Sequence, residues 1–138
     1  MIEFHFKSEL VIQNKPDYVD WINRVIISEG FSVGQIDYIF CSDEYLLELN
    51  KEYLNHDTFT DIITFDYTDG KIISGDIFIS TDRVEDNARK FDVELNELRR
   101  VMSHGILHLA GFGDKSIEEK KIMREKEEEK IKMFHVEP

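Results

Sequence analysis

Apolar and polar residues alternate through Ile2–Phe6 (IEFHF), the two-residue period of a half-buried strand. The period then lengthens: KPDYVDWINRVIISEG sets Val19, Ile22, Val25 and Ile26 on one helical face, with Pro16 suited to a first turn and Gly30 to a stop. Gln35–Ser42 (QIDYIFCS) returns to a strand pattern, and DEYLLELNKEYL reads as a helix capped by Ser42. Asp61–Tyr67 and Ser74–Ser80 are strands on either side of the turn signal Thr68-Asp69-Gly70, which predicts a hairpin. Ser80 or Thr81 can cap a helix running to Phe91, and VELNELRRVMSHGILHLAG is a strongly apolar helix closed by Gly111. Ser116 to Glu119 (SIEE) is a capping box opening a charged final helix, whose apolar stripe is expected at Ile122, Ile131 and Phe134. Four strands mixed with about five helices, without repeat, linker or internal boundary, predict a single small α+β domain over residues 1–138. Its expected form is a mixed four-stranded sheet packed with helices.

The net charge of −12 adds a constraint. Between Asp37 and Asp69 nine carboxylates face a single cation, Lys51. An acidic surface argues against nucleic acid, because phosphate binding depends on Lys and Arg displacing counterions. The lone Cys41 excludes an internal disulfide and reads as a buried core thiol. No apolar run reaches the roughly 18 residues of a membrane span, and a basic-then-apolar leader pattern is missing from the first residues. The expectation is a cytoplasmic protein with no membrane association.

Within the apolar helix the segment MSHGILHLAGFGDKS carries candidate chemistry. His104 and His108 stand one above the other at i and i+4, so two imidazoles can reach one metal ion. Gly111 can take the positive φ that reverses the chain, which lets Asp114 return to the same side as a third ligand. Three protein ligands leave a fourth tetrahedral position open, the catalytic rather than the structural arrangement of zinc. A metal site at the end of a central helix is therefore expected. A zinc peptidase of the H-E-x-x-H type needs glutamate directly after the first histidine, and Gly105 stands there instead.

The words HGILHLAGFGD, Asn50-Lys51-Glu52-Tyr53, TDIITFDY and Gly75-Asp76-Ile77 resemble the YbeY family of bacterial metal-dependent endoribonucleases, in order from about Asn50 to Asp114. That family shows H-G-x-L-H-L-x-G-Y-D-H, preceded by N-x-x-Y-R and P-T-D-V-L-S-F-P. The resemblance implies one zinc ion in a cleft and cleavage of single-stranded RNA in ribosomal RNA maturation and ribosome quality control. It also implies ribosomal RNA and ribosomal small-subunit proteins as partners. Two departures stand out. Asp114 replaces the third histidine, a competent ligand that is expected to alter metal preference. Leu54 replaces the arginine after the tyrosine, so a guanidinium able to clamp a phosphate is missing.

The expected chemistry is metal-assisted phosphodiester cleavage, in which the ion makes hydroxide available near neutral pH. Asp61 is a candidate base and equally a loop cap. His56 is either a partial substitute for the missing arginine or an exposed loop residue. Lys115, next to the last ligand, and Arg99 or Arg100 are candidate substrate cations. Phe59, Phe65 and Phe112 either stack on unpaired bases or belong to the core. Asp76 reads as structural, holding a turn beside Gly75. The rival readings are a metal-bearing ribosome assembly factor without catalysis and, further off, a zinc peptidase.

Overall fold

The structure, a computed structural model, describes residues 1–10, 12–55, 60–91 and 94–134. Nine elements follow one another: β1 (Ile2–Phe6), α1 (Lys15–Ser28), β2 (Ser32–Cys41), α2 (Asp43–Leu54), β3 (Ile62–Asp66), β4 (Ile72–Ser80), α3 (Thr81–Phe91), α4 (Glu94–Leu109) and α5 (Ile117–Lys132). The four strands form one mixed sheet in the order β1-β2-β4-β3. β1 and β4 both pair with β2 in parallel, while β3 and β4 form the antiparallel hairpin the turn signal predicts.

The alternation of each strand decides what covers the two faces. Ile36, Tyr38 and Phe40 of β2 and Ile73, Ile77 and Ile79 of β4 point to one side, where α1 and α4 bury them against Trp21, Ile22, Val25, Met102 and Ile106. On the opposite face Cys41 and Ile63 pack beneath Leu46 of α2. Burial pushes the Cys41 thiol up to about 12, so it is inert packing rather than a reactive group. The rest of that face, around β1 and β2, stays open and carries Glu3, His5 and Asp37.

Two contacts seat α4. The buried Tyr38 hydroxyl donates to the Met102 carbonyl at 2.9 Å. At Gly105 an added Cβ would lie 2.9 Å from Ile77 Cγ2 and 3.2 Å from Ile62 Cδ1, so the helix rests on the sheet where it has no side chain. Gly75 serves the same purpose from below, since a Cβ there would meet the Phe65 carbonyl and the Leu109 side chain. Asp76 therefore lies in mid-strand, paired in register with Asp37 and Phe65, and not at a turn as its place beside Gly75 suggested.

The final helix departs from its expected stripe. Ile122 is 47% exposed, and the buried positions are Met123, Glu127, Lys130 and Phe134. The Lys130 ammonium reaches Glu29 and Glu129 at 2.6 and 2.8 Å, and the Trp21 indole N–H donates to the Lys130 carbonyl at 2.7 Å. α5 is thus fastened to α1 by polar contacts that periodicity cannot show. Among the described residues no helix is long and apolar enough to cross a membrane.

Candidate metal centre

α4 ends where the sequence demands. Gly111 has φ of +103°, and its N–H and that of Phe112 return to the carbonyls of His108 and Leu107 at 3.0 Å each, a Schellman closure. The chain then reverses through Asp114 to Ser116. There the Ser116 hydroxyl accepts the Glu119 N–H at 3.0 Å, and the Glu119 carboxylate accepts the Ser116 N–H at 3.0 Å. The segment between the helices is fixed at both ends.

This reversal brings His104, His108 and Asp114 together, with one donor atom from each within 4.8 Å of the others. Asp114 Oδ2 lies 3.2 Å from His104 Nε2 and 3.3 Å from His108 Nε2. Adjacent corners of a tetrahedron with metal–ligand bonds of about 2.0–2.1 Å are separated by roughly 3.3 Å, so the spacing suits a small divalent ion. The remaining ring nitrogens are committed. His104 Nδ1–H donates to Glu127 at 2.6 Å and His108 Nδ1–H to the Phe112 carbonyl at 3.0 Å. Each ring then turns an Nε2 lone pair toward a carboxylate that also only accepts. With both rings neutral, three acceptors face one another, an arrangement that a bound cation would satisfy. The donor set is compatible with a metal ion, and the side chains are only partly buried, Asp114 at 39% exposure, so the site opens to solvent.

The surrounding field favours positive charge. Burial opposes protonation of His104, but Glu127, Asp114 and Asp61 outweigh it and hold the ring above its ordinary value. Burial, with Glu127 and Asp114 adding to it, pushes Asp61 up in spite of His104. Burial also raises Glu97 against the pull of Arg100. Asp61, whose carbonyl accepts the Ser80 N–H at 2.9 Å, enters β3 at the rim of a recess of about 320 Å³ that it shares with Asn87, Arg100, His104, Arg124 and Glu127. Carboxyls raised by burial beside a donor cluster hold a proton more readily than free ones do.

Glu127 is the residue that the sequence did not disclose. It lies in a run of alternating charges that reads as solvated, yet it is buried and anchors His104. Arg100 holds Glu127 in turn at 3.2 Å and reaches Glu97 and Glu128 at 3.6 and 2.6 Å. Its charge is spent on positioning. The Arg99 guanidinium stacks 3.6 Å from the Phe134 ring centroid, inside the α1–α5 packing. Lys115 is exposed beside Asp114 but does not line the recess. Phe65 packs edge-on against Tyr53 and Phe78 on the α2 side of the sheet, and Phe112 lies under the Lys126 ammonium. Leu54 is exposed at the end of α2. His56 and Phe59 lie outside the described residues.

A two-histidine helix over a mixed four-stranded sheet, with an acidic third donor and an open recess, defines a small α+β protein with a donor site of the metallohydrolase type. Gly105 leaves it without the glutamate that a zinc peptidase of the H-E-x-x-H type uses. The profile of the family described as endoribonuclease YbeY matches residues 4–135. Relatives of that name from Flavobacterium johnsoniae and Cytophaga hutchinsonii are 56% and 46% identical, over 99% and 94% of this chain and of their own. A solution structure of a Thermotoga maritima protein superimposes with a TM-score of 0.66 at 27% identity, covering 97% of this chain and 89% of that one. The chain belongs to the endoribonuclease YbeY family.

Proposed function

We propose that the chain is a metal-dependent endoribonuclease acting on single-stranded RNA, with one zinc ion held by His104, His108 and Asp114. Its substrate is ribosomal RNA, its setting the cytoplasm, and its work the maturation of ribosomal RNA and ribosome quality control beside small-subunit proteins. The observation that carries the reading is the convergence of both Nε2 atoms on one Asp114 oxygen, with both Nδ1 atoms bonded to Glu127 and the Phe112 carbonyl. The family and the names of its relatives support RNA as the substrate class.

A divalent ion bound there supplies Lewis-acid polarisation of a phosphoryl oxygen and acidifies water. The residues of the chain do the rest. Glu127 and the Phe112 carbonyl fix both imidazole rings in the ligating tautomer. Asp61, lining the recess with its carboxyl raised by burial, takes up or returns a proton at its carboxylate. The open side at Asp114 admits an unpaired strand.

The test is metal analysis joined to cleavage of a single-stranded RNA oligonucleotide. About one zinc per chain and measurable cutting are expected in the wild type, with both lost in His108→Ala and Asp114→Ala. Cutting that persists after complete metal removal overturns the reading. The exposed Leu54, in place of a guanidinium, favours a second reading, a metal-bearing ribosome assembly factor without catalysis. It predicts ribosome association that survives His104→Ala, and a wild type that cuts nothing.

A further inference from the structure

The recess beside the metal ligands is walled on one side by α5. A pocket of about 210 Å³ lies between His104 and Asp114 on one side and Lys120 and Arg124 on the other. His104, Arg124 and Glu127 also line the larger recess that holds Asp61, so the two hollows meet at these three residues. Lys120 and Arg124 are four residues apart on a helix, one above the other, and form a short cationic ladder along the opening.

Lys115, exposed beside Asp114, lines neither hollow, and the other cations near the site are engaged. Arg100 is held by three carboxylates, Lys126 and Lys130 share Glu29, and Arg99 lies on Phe134. Lys120 and Arg124 form no ion pair or hydrogen bond with any described residue, although Glu97 and Glu128 feel the charge of Arg124. In a chain of net charge −12, two unneutralised cations facing a carboxylate-rich recess are out of keeping with their surroundings. An acidic site repels a polyanion unless local cations receive its charge, and an arginine fork with a neighbouring ammonium suits two successive phosphates.

Resting on the endoribonuclease reading, we infer that Lys120 and Arg124 bind the RNA backbone phosphates flanking the bond to be cut and guide the strand across His104. They are positioning residues and take no part in the chemical step.

The experiment compares metal-loaded wild type, Lys120→Ala/Arg124→Ala, and a control, Lys121→Ala/Lys132→Ala, which removes the same charge from exposed positions of α5 outside the recess. Cleavage of a labelled single-stranded RNA gives kcat and KM, and anisotropy read within seconds of mixing gives Kd across salt concentrations. Each single-strand phosphate contact contributes about 0.7 to the slope of log affinity against log salt. The recess variant is expected to raise KM and Kd about tenfold, keep kcat within about threefold, and lose about 1.4 of that slope. Its metal content and melting temperature stay at wild-type values, and the control changes none of these quantities. Equal effects of the two double variants overturn the inference, as does a fall in kcat with unchanged KM. A wild type that binds the RNA through these two residues but never cuts it refutes the endoribonuclease reading and leaves the clamp standing. A wild type that neither binds nor cuts refutes both.

Discussion

On the open face of the sheet Glu3, His5 and Asp37 bring donor atoms within 4.8 Å of one another, the spacing that His104, His108 and Asp114 reach at the end of α4. The first group is closed on itself. His5 Nε2 bonds to Asp37 at 2.8 Å, and the Gln35 amide donates to both Glu3 and Asp37 at 3.1 and 3.2 Å. The second is held from behind, its Nδ1 protons given to Glu127 and a backbone carbonyl, so that only acceptors face inward. Distance between donors does not separate the two groups. What separates them is the ring nitrogen each group uses: His104 and His108 are held from behind through Nδ1, whereas His5 turns its Nε2 to Asp37 within the group.

The largest effect that would break the comparison is on metal content. His108→Ala should abolish stoichiometric metal binding and RNA cleavage, whereas His5→Ala should leave both intact, as elemental analysis and an RNA assay will read. If His5→Ala also lost the metal, the two groups would be equivalent and the argument from ring nitrogens would fail. Glu127→Ala tests the anchor itself and is expected to weaken metal affinity by about 10–100-fold. Glu127→Gln keeps a carbonyl acceptor and should recover most of that loss, a difference resolved by competition with a chelator.

Smaller effects concern stability. Gly105→Ala pushes a methyl into Ile77 and Ile62 beneath α4 and should cost about 1–3 kcal/mol in denaturant unfolding. Unchanged stability would mean that the helix can lift from the sheet without loss. On the open face Asp37→Asn should cost at most about 1 kcal/mol near neutral pH. Burial opposes ionisation of Asp37, but His5 and Gln35 outweigh it, so its carboxyl titrates below the ordinary value. A depressed folded-state pKa means that this stability is fully present above the unfolded value of about 3.9 and is lost as pH falls through the folded one. The gap between wild type and Asp37→Asn should therefore close in acid; a gap that widens there would reverse the sign of the interaction.

The fold could be read wherever burial and periodicity agree. Ile36, Tyr38 and Phe40 of β2 and Ile73, Ile77 and Ile79 of β4 enter the core as their alternation predicts, and the two histidines occupy a helix apolar enough to pack against it. Gly111 and the SIEE box marked both ends of the reversal that returns Asp114. The order of the strands could not be read, because parallel pairing of β1, β2 and β4 depends on how the crossovers pack. Nor could Glu127 and Lys130, since a charged residue in a charged run gives no hint that its partner is a half-buried Arg100 or His104 on α4, or Glu29 at the end of α1. Gly105 was legible as a missing glutamate, but its steric reason, the seat of α4 on Ile77, needed the sheet beneath it.

The bond from Trp21 to the Lys130 carbonyl spans 109 residues of sequence. A chain still under synthesis that has not yet released α5 lacks both the acceptor for its buried tryptophan and the carboxylate that orients His104. α5 closes the hydrophobic interior and sets the first imidazole in one step, so a chain that stops short of it holds no finished site.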